Sequence, residues 1–428
     1  MDIQEQSGLR AVLSGTPLPK VCLVRQRFSQ DGILDPAAVL SEKLAAVKNR
    51  VRPGMRVAIT GSSRQVANMT VFLRELASFV KAQGAKPFIV PAMGSHGGAT
   101  AEGQRVILES FGVTEEFCGC PIVSSMETVR VDVLPNGDEV RMDKAAHDAD
   151  GIIVFGRVKP HTAFRGTYES GLIKMMAIGL GKREGADSLH KEGFGKMGER
   201  LPVFAKAVFH HSRVVFGVAV IENEIDQTCR IEVVPSEEIF DREPELLNYA
   251  RTRLPRIILP ETDILVVREV GKNFSGSGMD PNVTGTFGTP FASGGIKKQR
   301  VAVLDISPES HGSFIGLGMA DVTTKRAFEK LQTNATYFNM ITSTVLKVGK
   351  IPMVLEDDRL ALQTAVKTLT GVDHNRVRLV YIKNTLSLEQ ILVSEALLEE
   401  VRSHEDMEIL EEPRPLRFDG TGALLDFA

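Results

Sequence analysis

Two kinds of apolar pattern alternate along the chain. Short, nearly unbroken apolar runs at 56–60 (RVAIT), 86–93 (KPFIVPAM) and 151–158 (GIIVFGRV) have the length and composition of strands buried on both faces. Between them, apolar residues recur at helical spacing, as in NMTVFLRELASFVKAQG, which predicts a helix stopping at Gly84. A polar loop, GSHGGAT, then leads into a helix through about Phe111, and RVDVLPNGDEVRMD predicts a hairpin turning at Asn136-Gly137. Further on come a strand at 213–221 (RVVFGVAVI), a helix over roughly 236–252, and the strand-like runs DILVV, RVAVLDI and VRLVYI.

Strand-helix alternation predicts an α/β protein in two lobes, each a mainly parallel sheet flanked by helices, with the active site in the cleft between them. Pro255 and Pro260 mark the junction, which gives an N-terminal domain over 1–258 and a C-terminal α/β domain over 259–428. A chain of 428 residues is too long for one ordinary core, in keeping with two domains.

Composition narrows the partners. A net charge of −3 without any Lys/Arg stripe gives no reason to expect nucleic acid. No stretch approaches the ~18 consecutive apolar residues of a membrane helix, and the first twenty residues lack the apolar core of a signal peptide. Cys22, Cys118, Cys120 and Cys229 form no CxxC pair, so a reduced, cytoplasmic compartment is expected.

Open α/β sheets bind ligands beyond the carboxyl ends of their strands, so loops that follow strands carry the candidate chemistry. Gly61-Ser62-Ser63-Arg64 offers two hydroxyls and a guanidinium at a helix start, which suits a phosphate and equally suits a capped helix with a surface arginine. His96, within Gly94-Ser95-His96-Gly97-Gly98, is sterically open and fits a general acid or base as well as an idle turn residue. His161 follows Pro160 after the most strand-like run and could share a substrate with His96. His190 is a possible nitrogen ligand for a metal, but no Cys or second His stands near it, so most of the coordination would come from something other than protein. Lys174 lies inside Leu172-Ile173-Lys174-Met175-Met176-Ala177-Ile178, apolar on nearly every side of a helix. Burial would free its amine as a nucleophile, whereas a snorkelling lysine would carry its ammonium to water. Gly181-Lys182 is followed by Arg183 where a Walker loop needs Ser or Thr, and no dinucleotide fingerprint or HExxH is present.

Together these residues resemble the lactate racemase family, whose members use a nickel-pincer nucleotide. The resemblance implies that Lys174, preceded by Ser170-Gly171, is the lysine bound covalently through a thioamide to a pyridinium mononucleotide. His190, sixteen positions later, matches the nickel ligand. His96 resembles the first catalytic histidine, in the family's Gly-Thr-His loop, and His161 the second. Arg64 resembles the arginine of the Asp-x-Thr-Arg phosphate loop, with Ser62 and Ser63 beside it. The chain departs from the pattern at Gly61 for Asp, Ser63 for Thr, Gly97 for an Arg and Leu172 for a second Gly, and it has no Trp. The likeness covers roughly residues 50 to 200.

The implied activity is racemisation or epimerisation of a small-molecule 2-hydroxy acid, with hydride leaving the carbinol carbon and returning to the opposite face. His96 and His161, with unperturbed pKa near ~6.5, would exchange acid and base roles. Lys272, from the second lobe, is the candidate for the substrate carboxylate. The implied partners are the proteins that make and insert the cofactor. Two other readings share these residues: an NAD-dependent 2-hydroxy acid dehydrogenase, and a non-catalytic small-molecule or metal-binding relative.

Overall fold

The computed structural model describes residues 3–427. Contacts divide the chain into two units, one from Ser29 to Leu254 and one formed by the residues through Phe28 together with those from Pro255 onward. The reason for the second grouping is the first strand, β1 (Val21–Gln26), which pairs antiparallel with a strand near the C-terminus. Such pairing across more than three hundred residues leaves no local mark, and it takes the N-terminal segment out of the 1–258 stretch.

The Ser29–Leu254 unit contains β2 (Arg56–Gly61), β3 (Lys86–Pro91), the hairpin β4 (Thr128–Val133) and β5 (Glu139–Asp143), then β6 (Gly151–Arg157), β7 (Val214–Glu222) and β8 (Thr228–Pro235). Its main sheet has the order β3-β2-β6-β7-β8, parallel except for the last pair. Val57, Ala58, Ile59, Ile152, Ile153 and Val154 are wholly buried, as expected for strands covered on both faces. One cover is helix α1 (Met69–Ala82), whose buried residues Met69, Phe72, Leu73, Leu76, Ala77 and Val80 form a single stripe. The hairpin turns at Asn136-Gly137, where Gly137 has a φ of 84°. The helix predicted over 236–252 is observed over Ile239–Thr252, after one tighter turn at Ser236–Glu238.

Four further helices matter for the site: α2 (Ala101–Ser110), α3 (Lys182–His190), α4 (Met197–His210) and α5 (Ile239–Thr252). Thr100 caps α2 by accepting from the Gly103 N–H at 3.0 Å.

The other unit contains β9 (Ile264–Val270), β10 (Arg300–Ile306), β11 (Val322–Thr324), β12 (Met353–Leu355), β13 (Leu379–Ile382), β14 (Gln390–Ser394) and β15 (Met407–Ile409). Its eight-stranded sheet runs β12-β11-β10-β9-β13-β14-β1-β15, parallel from β12 to β13 and antiparallel beyond. Both units are therefore α/β with mainly parallel sheets flanked by helices. Among the described residues no helix is long and apolar enough to cross a membrane.

Candidate active site

β3, β2, β6 and β7 are parallel neighbours, so the loops at their carboxyl ends share one edge of the sheet. That edge is pried open. Pairing of β2 with β6 ends at Ile59 and Ile153, after which the Thr60 hydroxyl accepts from the Phe155 N–H (2.8 Å) and donates to the Phe155 carbonyl (3.0 Å). The loops that follow β2, β3 and β6 carry Arg64, His96 and His161.

Lys174 ends a short helical turn, Leu172–Lys174, that passes directly into a π turn at Met175–Gly179. The Leu180 N–H donates to the Met175 carbonyl (2.9 Å), a five-residue closure in place of the usual four. The wider turn leaves the next carbonyls to bond elsewhere. Gly179 accepts from the Gly94 N–H (3.1 Å) and Leu180 from the Asp143 N–H (2.7 Å), so the Lys174 segment is tied to the His96 loop and to β5. Gly179 is required here, because a Cβ would lie 2.8 Å from the Ala92 carbonyl.

Glu243, buried on α5, accepts from the Ile173 N–H at 2.9 Å and so caps the first turn of this segment. Gly171 makes room for it, since a Cβ there would sit 2.5 Å from the carboxylate. Burial pushes the Glu243 carboxyl up to about 7, against the lowering by the Ile173 and Leu172 N–H groups.

The Lys174 side chain is half-buried and has no hydrogen-bond or ion-pair partner among the described residues. Burial, and then the nearby Arg64 guanidinium, lower its ammonium to about 8. The Arg64 guanidinium is likewise unpaired among the described residues. It keeps contact with water, yet crowding by protein followed by repulsion from Arg157 lowers its pKa. Arg157 is held by Glu222, at the end of β7, whose other carboxylate oxygen accepts from the Ala67 N–H (2.7 Å). Uncompensated positive charge at one place is an unfavourable arrangement that an anion relieves. The Ser62 hydroxyl donates to the Arg64 carbonyl (2.8 Å), which shapes the loop; Ser63 is half-buried beside it.

His190 closes α3. Its Nδ1 lies 2.7 Å from the Ala186 carbonyl, so that nitrogen carries the hydrogen and Nε2 keeps its lone pair. Burial lowers its pKa, the Ala186 hydrogen bond opposes, and Lys174 lowers it further. Arg200 of α4 secures the helix end by donating to the carbonyls of Leu189 (3.0 Å) and Ser188 (2.8 Å) while paired with Asp138 (2.6 Å) and Glu192.

His161 lies in a compact loop, 159–170, whose ends meet through paired bonds between Lys159 and Ser170. The loop folds around Glu169, which is fully buried. Glu169 accepts from the His161 N–H (2.7 Å), the Gly166 N–H (3.3 Å) and Arg251 (2.8 Å). Burial first, and then the charges of Lys174, His190, Arg165 and Lys159, lower the His161 imidazole well below its ordinary value. Its ring packs on Phe164 (centroids 4.5 Å apart) and Phe194 (5.9 Å), and Phe194 also meets His190 (5.7 Å). One phenylalanine therefore bridges the two histidines.

His96 is exposed at the end of β3, with Nδ1 2.8 Å from the Met93 carbonyl. Its loop is fastened by Gln104 of α2, which donates to the carbonyls of Gly94 (2.8 Å) and His96 (3.3 Å). Gln104 in turn accepts from Lys182 (3.1 Å), a wholly buried ammonium that also donates to the Pro91 carbonyl (2.6 Å) and pairs with Asp143 (3.1 Å). Lys182 has a φ of 53°, a strained conformation for a residue with a side chain.

Lys174, Arg64, His161 and His190 thus act on one another electrostatically, and the His96 loop is bonded to the same π turn. Lys272 belongs to the other unit, where its Nζ donates to Asn339 (3.0 Å). Sequence reasoning missed Glu169, Glu243, Arg200, Gln104 and the role of Lys182. The Gly-Lys pair at 181–182 was the one visible trace of this support.

Residues 36–200 match the family described as the lactate racemase N-terminal domain. Among solved structures, the lactate racemase apoprotein from Thermoanaerobacterium thermosaccharolyticum is similar at 13% identity and a TM-score of 0.43, over 64% of this chain and 68% of that one. No curated protein sequence matches the chain. The stretch that matches this family model, residues 36–200, holds every candidate residue except Lys272.

Proposed function

We propose that this protein is an isomerase, a racemase or epimerase of a 2-hydroxy acid, that carries a nickel-pincer nucleotide on Lys174. The observation that carries the reading is the Lys174 amine itself. It is unpaired among the described residues, has its pKa lowered to about 8, and stands beside an unpaired Arg64. An amine with that pKa is substantially neutral near pH 8 and able to attack an acyl carbon, whereas an ordinary lysine is not.

The donor set fits the group. Lys174 would be its covalent anchor and Arg64, with the Ser62-Ser63 loop, would face its phosphate. His190 would offer Nε2 to nickel. Among the described residues no three His, Cys, Asp or Glu side chains gather to hold a metal. A metal at His190 accordingly needs donors from a bound organic ligand, and the pincer nucleotide brings its own. When bound, that group supplies an electrophilic ring that takes up hydride and gives it back.

The chain's own residues would do the rest. His96 and His161 would handle the hydroxyl proton and oxygen. Phe164 and Phe194 keep water from one side of His161. Proteins that make and insert the cofactor are the implied partners, in a cytoplasmic setting.

A chiral assay with 2-hydroxy acids deuterated at C2, on protein from a host that makes the cofactor, tests the reading. Inversion with deuterium retained, and no absorbance change from added NAD, is the expected result. Inversion with loss of deuterium to solvent would indicate proton abstraction at carbon and overturn it. No inversion of lactate, malate, longer aliphatic or aryl hydroxy acids, or sugar acids by nickel-loaded protein would favour a non-catalytic relative.

A further inference from the structure

The end of α3 that carries His190 is not closed by its own backbone alone. Helices commonly finish at a glycine of positive φ whose N–H groups satisfy the last carbonyls. Here Lys191 keeps helical angles (φ −48°, ψ −36°), and positive φ arrives only at Gly193 (71°). The Gly193 N–H reaches the His190 carbonyl at 2.7 Å. The two carbonyls before it, of Leu189 (3.0 Å) and Ser188 (2.8 Å), are taken by one side chain from another helix, Arg200.

Each nitrogen of that buried guanidinium is engaged. Nε meets Leu189, Nη2 meets Ser188 and Asp138, and Nη1 meets Glu192. Asp138, itself buried in the turn between β4 and β5, is fixed in turn by Asn136 (2.8 Å) and Lys191 (3.1 Å). A planar guanidinium can span two carbonyls and two carboxylates at once; an ammonium cannot. With its charge met by carboxylates, Arg200 holds the negative end of the helix without adding an uncompensated cation beside His190. The imidazole has little else to aim it. Among the described residues its Nδ1 bonds to Ala186 of the same helix and Phe194 touches its edge. The direction of the ring therefore follows that of the last turn of α3.

We infer that Arg200, anchored by Asp138, is a positioning residue for the metal: it fixes the last turn of α3 and with it the His190 imidazole, so that nickel is retained, while attachment of the nucleotide at Lys174 proceeds without it. This rests on the function proposed above. Arg200 makes and breaks no covalent bond and touches neither metal nor substrate.

The test uses protein from a cofactor-making host, held against a chelator such as EDTA, with nickel and the mass of the Lys174 peptide followed on the same samples. Arg200→Met should keep the wild-type adduct and lose nickel roughly 10- to 100-fold faster, the usual cost of removing the group behind a metal ligand. Arg200→Lys, which can reach only some of the four acceptors, should fall between. Nickel leaving Arg200→Met at the wild-type rate, or adduct and nickel missing together from Arg200→Lys, overturns the inference. Unloaded protein gives a second readout. Amides of residues 183–191 should exchange hydrogen about 10-fold faster in either variant, with β2 and β6 unchanged. Long-range proton–nitrogen NMR should place a hydrogen on His190 Nδ1 in the wild type and show mixed tautomers in Arg200→Met. Unchanged exchange and an unchanged tautomer would also overturn it. Wild-type protein that never takes up an adduct, in a set of variants that shows these shifts, counts against the proposed function and not against the positioning of His190.

Discussion

Lys174 and Lys182 stand eight positions apart in one continuous segment, and their surroundings are opposite. The stretch around Lys182 gives its charge partners: Asp143 at 3.1 Å, the Pro91 carbonyl at 2.6 Å and Gln104 at 3.1 Å surround a side chain with no exposure, and Asp143 opposes the lowering of its pKa by burial. In the stretch around Lys174, the turn that leads into the π turn displays an amine with no partner among the described residues, whose pKa is lowered by burial and then by a guanidinium nearby. Both are lysines in apolar sequence, so burial alone does not separate a fastener from a reactive group. Satisfaction of the charge does.

The sharpest way to break this comparison is Lys182→Met. It would leave Asp143 buried without its cation and cost about 3–5 kcal/mol in urea unfolding. A loss under 1 kcal/mol would show that the pair is not structural. Gly171→Ala is next, because its Cβ would lie 2.5 Å from the Glu243 carboxylate that caps the Lys174 turn. Overpacking of that kind costs roughly 1–3 kcal/mol, read in the same measurement.

Lys174→Met should go the other way and stabilise the unloaded protein at pH 7. The folded pKa of Lys174, about 8, lies below the unfolded value of 10.5. Between those values the unfolded chain binds more protons, so stability rises with pH, and below pH 8 the buried charge bears its full penalty. A shift of this size is worth up to about 3 kcal/mol, discounted to roughly 1–2 for the water that a half-buried amine still meets. Thermal melts from pH 7 to 10.5 should show a higher Tm for the variant at the low end and convergence at the high end. Destabilisation at pH 7 would mean that the ammonium is structurally useful after all.

The pH dependence of the opposite sign concerns Glu243, whose carboxyl is raised from 4.5 to about 7. Here the folded protein binds the extra proton, so stability falls as pH rises from 4.5 to 7. Glu243→Gln should flatten the Tm profile over that window and stabilise the protein at pH 7 by up to about 3 kcal/mol on the same linkage. An unchanged slope would remove Glu243 from the account.

The strands were legible because a parallel strand covered on both faces needs an unbroken apolar run, as at 151–158. The candidate residues were legible because Arg64, His96 and His161 follow such runs directly, and because Lys174 and His190 stand at a recognisable interval. The π turn was not legible. It depends on Gly179 packing against Ala92, a contact across the fold that a local apolar pattern does not encode. Glu243, Arg200 and Gln104 reach their targets across ten to seventy residues, so their roles exist only once the sheet has formed. The residues through Phe28 were assigned to the wrong neighbours for the same reason: strand pairing between β1 and β14 has no sequence period of its own.

The central claim is that the unpaired amine at Lys174 is where the organometallic ring is attached. Intact-mass measurement and peptide mapping of protein from a cofactor-making host, with nickel determined on the same sample, test it most directly. One added mass is expected on the peptide containing Lys174, with about one nickel per chain, and Lys174→Ala is expected to lose both. An adduct on another residue, or nickel retained in full by Lys174→Ala, would contradict it.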